Sequence, residues 1–206
     1  MVGQLAEVPT KQRLLETAER IFAEKGFEAA SVDEITRAAG ANRAAISFHF
    51  GGKERLYIEA VKYAHRACHE GLPFPEYPAD TPAVERLRGF IRTLVHRMTA
   101  EPDPYATQLM MRELAHPTQA CVEVVREYIR PMADILRGIL GELMPDADPV
   151  RIYMTGFSIV GQCLFYKQNR PVAQLLMGDS DFATLDADRI AEHVTAFTLR
   201  GLGVQP

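Results

Sequence analysis

The 206-residue chain predicts an all-α fold: an N-terminal three-helix helix-turn-helix domain, joined by a long fourth helix to a C-terminal helical bundle. Three observations predict it. Apolar residues recur at three- and four-residue spacing along most segments. Capping residues and glycine or proline stops divide those segments at helix-like lengths. No segment combines strict alternation with turn chemistry, so no strand is expected. The domains are read as residues 1–52, with a core at 10–52, and 53–206.

Thr10 is placed to cap a first helix over residues 11–25, whose stripe Leu14, Leu15, Ala18, Ile21 and Phe22 marks one buried face. Gly26 supplies a left-handed end, and Phe27 is expected to fold back on it. Ser31-Val32-Asp33-Glu34 reads as a capping box: the serine oxygen accepts from the Glu34 N–H and the glutamate reaches back. Gly40 stops this short second helix. Asn42 caps a third, residues 43–50, and Lys53 opens a fourth, to about residue 70, with Leu56, Ala60, Val61 and Ala64 inward. Residues 71–82, GLPFPEYPADTP, read as a loop because of their four prolines.

Beyond the loop, helices are expected over residues 83–100, 104–115, 119–144 with Thr118 as cap, and 149–168 with Asp148 as cap. A short turn follows at 171–178, then a last helix capped by Asp186, with Leu185 and Ile190 spaced as a hydrophobic staple. Pro131 falls inside the 119–144 segment, where it removes one backbone bond and clashes with the Glu127 carbonyl. A kink or short break is expected there.

The net charge is −4, so bulk charge gives no hint of nucleic acid. Between Thr36 and Arg66, however, Arg37, Arg43, Lys53, Arg55, Lys62 and Arg66 face only Glu54 and Glu59, a local balance of +4. A basic face on an acidic body can hold phosphates. Cys68, Cys121 and Cys163 are far apart and show no ligand spacing, which predicts neither a disulfide framework nor a metal site. The N-terminus has no signal pattern, and the longest uncharged run, residues 152–166, is shorter than a membrane span. A cytoplasmic protein with no membrane contact is expected.

Helix, glycine turn, helix is the helix-turn-helix signature, and the stretch from Ser31 to Lys53 is read as the part that binds double-stranded DNA. Ile46 and Phe50 face the small core. Arg43, Ala44, Ala45, Ser47 and Phe48 are left for the groove, with Arg43 alone able to make a bidentate guanine contact. Thr36, Asn42, Ser47, His49 and Lys53 are candidate phosphate contacts, beside the free N–H groups at the start of the fourth helix.

The segments Ile35, Ala39-Gly40-Ala41, Ser47-Phe48-His49-Phe50 and Lys53 together resemble the TetR family of bacterial transcriptional regulators, over about residues 10–65. The variant ISFHFGGKERLY looks like the branch with a CerR-type C-terminal domain, with weaker echoes in MRELAHPT and IVGQCLFY. Ser47 and Phe48 depart from two tyrosines that often contact phosphates in the family. The resemblance implies a homodimer reading an inverted repeat, repression as the default sign, and a C-terminal half that binds a ligand and dimerises.

The run from Ile152 to Tyr166 is apolar on nearly every side, as suits a helix buried against both its own core and a partner. With the last helix it offers Gly156, Ile159, Val160, Gly161, Val194 and Phe197 as a four-helix dimer interface. Methionines and aromatics among these helices suit an adaptable pocket for a small apolar or amphipathic effector. The polar residues His96, Gln108, Arg112, His116, Tyr128, Gln162 and Tyr166 are its candidate lining. No cofactor is expected. Three readings compete: a small helical enzyme, for which no nucleophile–base pair or phosphate loop stands out; a regulator without a ligand; and an activator.

Overall fold

The structure is a computed structural model and describes residues 9–67, 72–100 and 103–204. Cys68 lies outside them. All regular elements among the described residues are helical, as the pattern predicts. They are α1 (Thr10–Ala29), α2 (Val32–Ala38), α3 (Arg43–Phe50), α4 (Lys53–Ala67), α5 (Ala83–Thr99) and α6 (Pro104–Ala115). There follow α7 (Gln119–Val124), a π turn (Val125–Ile129), α8 (Arg130–Leu143), α9 (Pro149–Gln168), α10 (Arg170–Met177), α11 (Asp179–Phe182) and α12 (Ala187–Gly201).

The chain divides into two compact units. Unit 1 is Met1–Glu70 with Pro102–Ile129, and unit 2 is Gly71–Glu101 with Arg130–Pro206. This division differs from a cut at residue 53, because α4, α6 and α7 share one hydrophobic core with α1–α3. Ala106, Leu109, Ala120 and Val124 are buried in that core with Leu14, Phe22, Ile35, Ile46 and Leu56. Unit 2 has a core of its own, from Leu87, Phe90 and Leu94 of α5, Leu136 and Leu140 of α8, Ile159 of α9 and Val194 of α12.

Local chemistry accounts for most helix ends. Ser31 Oγ accepts from the Glu34 N–H at 3.1 Å, Asn42 Oδ1 from the Ala45 N–H at 2.9 Å, and Asp148 and Asp186 cap α9 and α12 in the same way. Gly26, Gly40 and Gly51 take positive φ where the chain must turn. Phe27 stacks on Phe22 as expected. Three details differ. Thr10 lies inside α1, and Pro9 occupies the cap position without a side-chain bond. The Glu34 carboxylate meets Lys25 Nζ at 2.5 Å, so only the serine half of the box forms. The irregularity expected at Pro131 lies just upstream, as the π turn ending at Ile129; winding to i→i+5 there loosens the turn next to a proline that cannot donate.

The proline-rich loop is tied down within unit 2. Phe74 stacks on Phe90 at 4.7 Å, and the Arg97 guanidinium lies 4.1 Å from the Phe74 ring while donating to the Leu72 carbonyl. Tyr77 rests directly on Gly89, where a Cβ would collide with its hydroxyl.

Candidate nucleic-acid interface

α2 and α3 stand on a packed base. Ile35, Ala39, Ile46 and Phe50 are buried, and the α2–α3 turn passes through Gly40 at φ +61°. A helix of eight residues has little stability alone, so this packing holds α3 in place. Its other face is open: Arg43, Ala44, Ser47 and Phe48 are exposed and Ala45 and His49 half-buried. Phe48 is 84% exposed, an unusual position for a large aromatic that has no packing duty. Its ring is in edge contact with His49 at 4.9 Å, and His49 lies near Phe50 in turn.

The Arg43 guanidinium, largely solvent-exposed, reaches back to Asp33 of α2, with Nη1 3.0 and 3.2 Å from the two carboxylate oxygens. Asn42 spends its side-chain oxygen on the cap of α3. Lys53 is half-buried, its Nζ 4.4 Å from the Phe27 ring centre and 3.4 Å from the Glu28 carbonyl. Thr36 turns inward: it is buried and its hydroxyl donates to the Val32 carbonyl at 2.9 Å, which removes it from the open face.

The local excess of positive charge is smaller than the sequence count. Lys62 is buried in a cluster with Glu123 and Glu127, at 2.6 and 2.8 Å, and Arg55 bonds Glu123 at 2.7 Å. Burial pulls the Lys62 pKa down, but hydrogen bonds to Glu123 and Glu127 outweigh it and the net shift is upward. The same bonds hold both glutamates below the usual carboxylate range. Arg66 donates to the Tyr128 hydroxyl. Arg55, Lys62 and Arg66 are thus engaged within unit 1, whereas exposed Arg37, at the end of α2, has no ion-pair partner among the described residues.

The residues expected to line one effector pocket are divided between the two units. Gln108, Arg112, His116 and Tyr128 belong to unit 1, and His96, Gln162 and Tyr166 to unit 2. Arg112 donates to the Ala23 and Glu24 carbonyls and so ties α6 to the end of the regular part of α1. Gln108 and His116 are exposed. His96 bonds Asp188 at 2.9 Å, and Gln162 donates back to the Ser158 carbonyl. Tyr166 lines a cleft of unit 2. Of the expected interface residues, Gly156, Ile159 and Val194 are buried in the core of unit 2, where Gly156 lets Leu136 and Leu140 approach. Val160 is half-buried, and Gly161 and Phe197 are exposed. The open apolar face of α9 is instead Val150, Tyr153, Met154 and Phe157, with Phe157 69% exposed. Their i, i+3, i+4, i+7 spacing could have been read from the sequence, but an apolar helix does not reveal which of its stripes is the inner one.

Residues 14–60 match the model of the bacterial regulatory proteins of the tetR family. Residues 83–202, more than half the chain, match the C-terminal domain of the HTH-type transcriptional dual regulator CecR; the name is CecR rather than CerR. The chain is similar to CecR of Shigella flexneri, 26% identical over 90% of this chain and 87% of that protein. It is 40% identical to the transcriptional repressor AcnR of Corynebacterium efficiens, but only over 32% of this chain and 37% of that protein. The chain thus spans less than half the length of the AcnR proteins it matches. Among solved structures, a TetR-like regulator from Rhodococcus aligns over 96% of this chain and 99% of its own, with a TM-score of 0.60 and 17% identity. FadR of Bacillus subtilis, solved with stearoyl-CoA, aligns over 92% and 98%, with a TM-score of 0.56 and 19% identity. At such identities the likeness is one of fold. No described helix is long and apolar enough to cross a membrane. With an open helix-turn-helix at one end and a CecR-type domain beyond it, this chain belongs to the TetR family of DNA-binding transcriptional regulators.

Proposed function

We propose that the protein is a cytoplasmic homodimeric repressor, without enzymatic activity, that binds an inverted-repeat operator and is released by a small apolar or amphipathic effector. Residues 1–52 serve as the DNA-binding domain and 53–206 as the effector-binding and dimerisation domain. The observation that carries the reading is the face of α3, where Arg43, Ala44, Ser47 and Phe48 stand open on a base of buried Ile46 and Phe50. Arg43 is the base-reading residue, Phe48 offers an apolar surface to thymine methyl groups, and Asn42, Ser47, His49 and Lys53 approach the phosphates. Direct readout through one arginine is thin, so groove shape and bridging waters carry part of the specificity.

Dimerisation is supported by the exposed α9 stripe Val150, Tyr153, Met154 and Phe157, together with Phe197 of α12. A contiguous apolar face of this kind is expected to be covered. Pairing two recognition helices about 34–36 Å apart, or a multiple of that, matches an inverted repeat. An effector that favours one of two helix separations changes operator affinity by its differential binding to the two states.

Arg43→Ala is expected to weaken operator binding about tenfold at matched salt and to relax preference at one base position, with the melting temperature unchanged. Fluorescence anisotropy on the operator and on single-base variants measures both. Equal affinity for mutant and wild type would remove Arg43 from the interface.

A further inference from the structure

Unit 2 contains a cleft of about 370 Å³ between α9, α10 and α12, in which Tyr166, expected above to line a pocket, is joined by residues to which no role has been given. Phe165, Leu176, Met177 and Ile190 supply much of its wall, and the polar groups at its edge include Arg189 and His193. No carboxylate lines it. The volume lies within the range of small-ligand sites, at the lower end.

The charge lining the cleft is one-sided. Arg189 donates to the Thr184 hydroxyl at 2.8 Å and to its carbonyl at 3.4 Å, both neutral, and makes no ion pair among the described residues. Exposed Glu192, one turn along α12, is not part of the cleft wall, and three other acids near Arg189 on the chain have other partners. Asp186 caps α12, and Asp188 is bound to His96 at 2.9 Å and Arg92 at 3.0 Å. Asp179 accepts from Gln174. A guanidinium keeps its charge at any physiological pH and forms its strongest bonds with a carboxylate. Beside it, Leu176 is 79% exposed, an apolar surface left uncovered at the mouth of an apolar cleft.

We propose that this cleft binds a monoanionic amphiphile, with its carboxylate on Arg189 and its hydrocarbon along Phe165, Leu176 and Met177. An uncharged amphiphile would find the same wall but gain nothing from Arg189, and a cationic one would be repelled by it, so the carboxylate is the preferred head group. The location deepens the effector reading above and rests on it for any consequence at the operator; binding itself does not.

Isothermal titration calorimetry of the full chain with decanoate, below its micelle concentration, tests the site. Wild type is expected to bind decanoate and not decyltrimethylammonium. Arg189→Gln should weaken decanoate at least tenfold, and Leu176→Glu, which puts an acid into the wall, should abolish it. Both side chains are exposed, so unchanged melting curves are expected to show that the variants fold. No decanoate binding by wild type, equal decanoate affinity in all three proteins, or equal binding of the cation, overturns the proposal. Operator binding measured in parallel separates the two readings. Decanoate bound through Arg189 with no change in operator affinity upholds the cleft and counts against the effector reading. Operator release by another compound, in a wild type that ignores decanoate, overturns the cleft and leaves the effector reading standing.

Discussion

Unit 1 buries the charged residues Glu19, Lys62, Glu113 and Glu123 as well as Thr36, whereas the buried polar residues of unit 2, among those described, are Thr195 and Thr198. In unit 1, Glu113 alone accepts from the Tyr57 hydroxyl at 2.5 Å, the Thr118 N–H at 3.2 Å and the Cys121 N–H at 3.1 Å, binding α4 to the start of α7. Unit 2 holds its core with apolar side chains and keeps ion pairs such as Arg92–Asp188 and Arg137–Asp134 on the surface. It also exposes large apolar residues along α9 and α10. Directional bonds specify one geometry and cost much when broken, while apolar surfaces exchange partners with little penalty. The unit that carries the recognition helix is built to stay in one shape. The other leaves apolar surface open along α9 and α10.

The largest expected effect is at Lys62. Lys62→Ala leaves Glu123 buried without its main counter-charge and should lower unfolding stability by about 3 kcal/mol in urea titrations. This is the low end for a buried pair, because Arg55 still faces Glu123 and Glu127 keeps the cluster near water. The double variant Lys62→Met, Glu123→Leu should recover most of the loss. Failure to recover it would mean that the cluster does more than satisfy itself.

Phe157→Glu probes the opposite design. It should raise the dimer dissociation constant about 100-fold, or about 2.7 kcal/mol, in sedimentation velocity, with the folded monomer intact. Collapse of the monomer would show that α9 is needed by its own core on that side too.

Glu19 gives a smaller effect with a pH signature. Burial, reinforced by Asp103 and Glu16, raises its carboxyl to about 7 from an ordinary 4.5, and its Oε1 has no hydrogen-bond partner. Between pH 4.5 and 7 the folded chain binds more protons at this site than the unfolded chain. Stability therefore falls as pH rises through that window, and the penalty is complete above it. Glu19→Gln should gain about 2 kcal/mol at pH 8 and almost nothing at pH 5. An equal gain at both pH values would exclude titration of Glu19 as the cause. The smallest change, Asn42→Ala, removes the α3 cap and should cost about 1 kcal/mol of stability, with operator affinity falling by more than that loss of fold explains.

The two units were not equally legible in the sequence. Helix starts at Ser31, Asn42, Asp148 and Asp186 depend on residues two or three apart, and the chain states them directly. So does the open face of α3, because Ile46 and Phe50 fix which side is inner. The bonds that define unit 1 join distant residues: Tyr57 to Glu113, 56 positions apart, and Lys62 to Glu127, 65 apart. Nothing local marks them, and so Arg112 reads as a pocket residue when it is a clasp on α1. In unit 2 the difficulty is one of kind. Ile159 and Phe157 are both apolar residues on one apolar helix, and only the packing of Leu136 and Leu140 decides that the first is core and the second is surface.

The π turn before Pro131 works as a phase correction. Ala120, Val124, Tyr128, Met132, Leu136 and Leu140 recur every four residues, and all six are buried or half-buried. In a straight α-helix each such step overshoots a full turn by about 40°, so five steps would carry Leu140 about 200° around the axis from Ala120. The extra residue in Val125–Ile129 takes back about 100° of that drift. Ala120 and Val124 then serve the core of unit 1 while Leu136 and Leu140 serve that of unit 2. The register of α8 on its own core is therefore itself a specification. A slip of one residue would set Arg137 where Leu136 stands, a charge among apolar side chains.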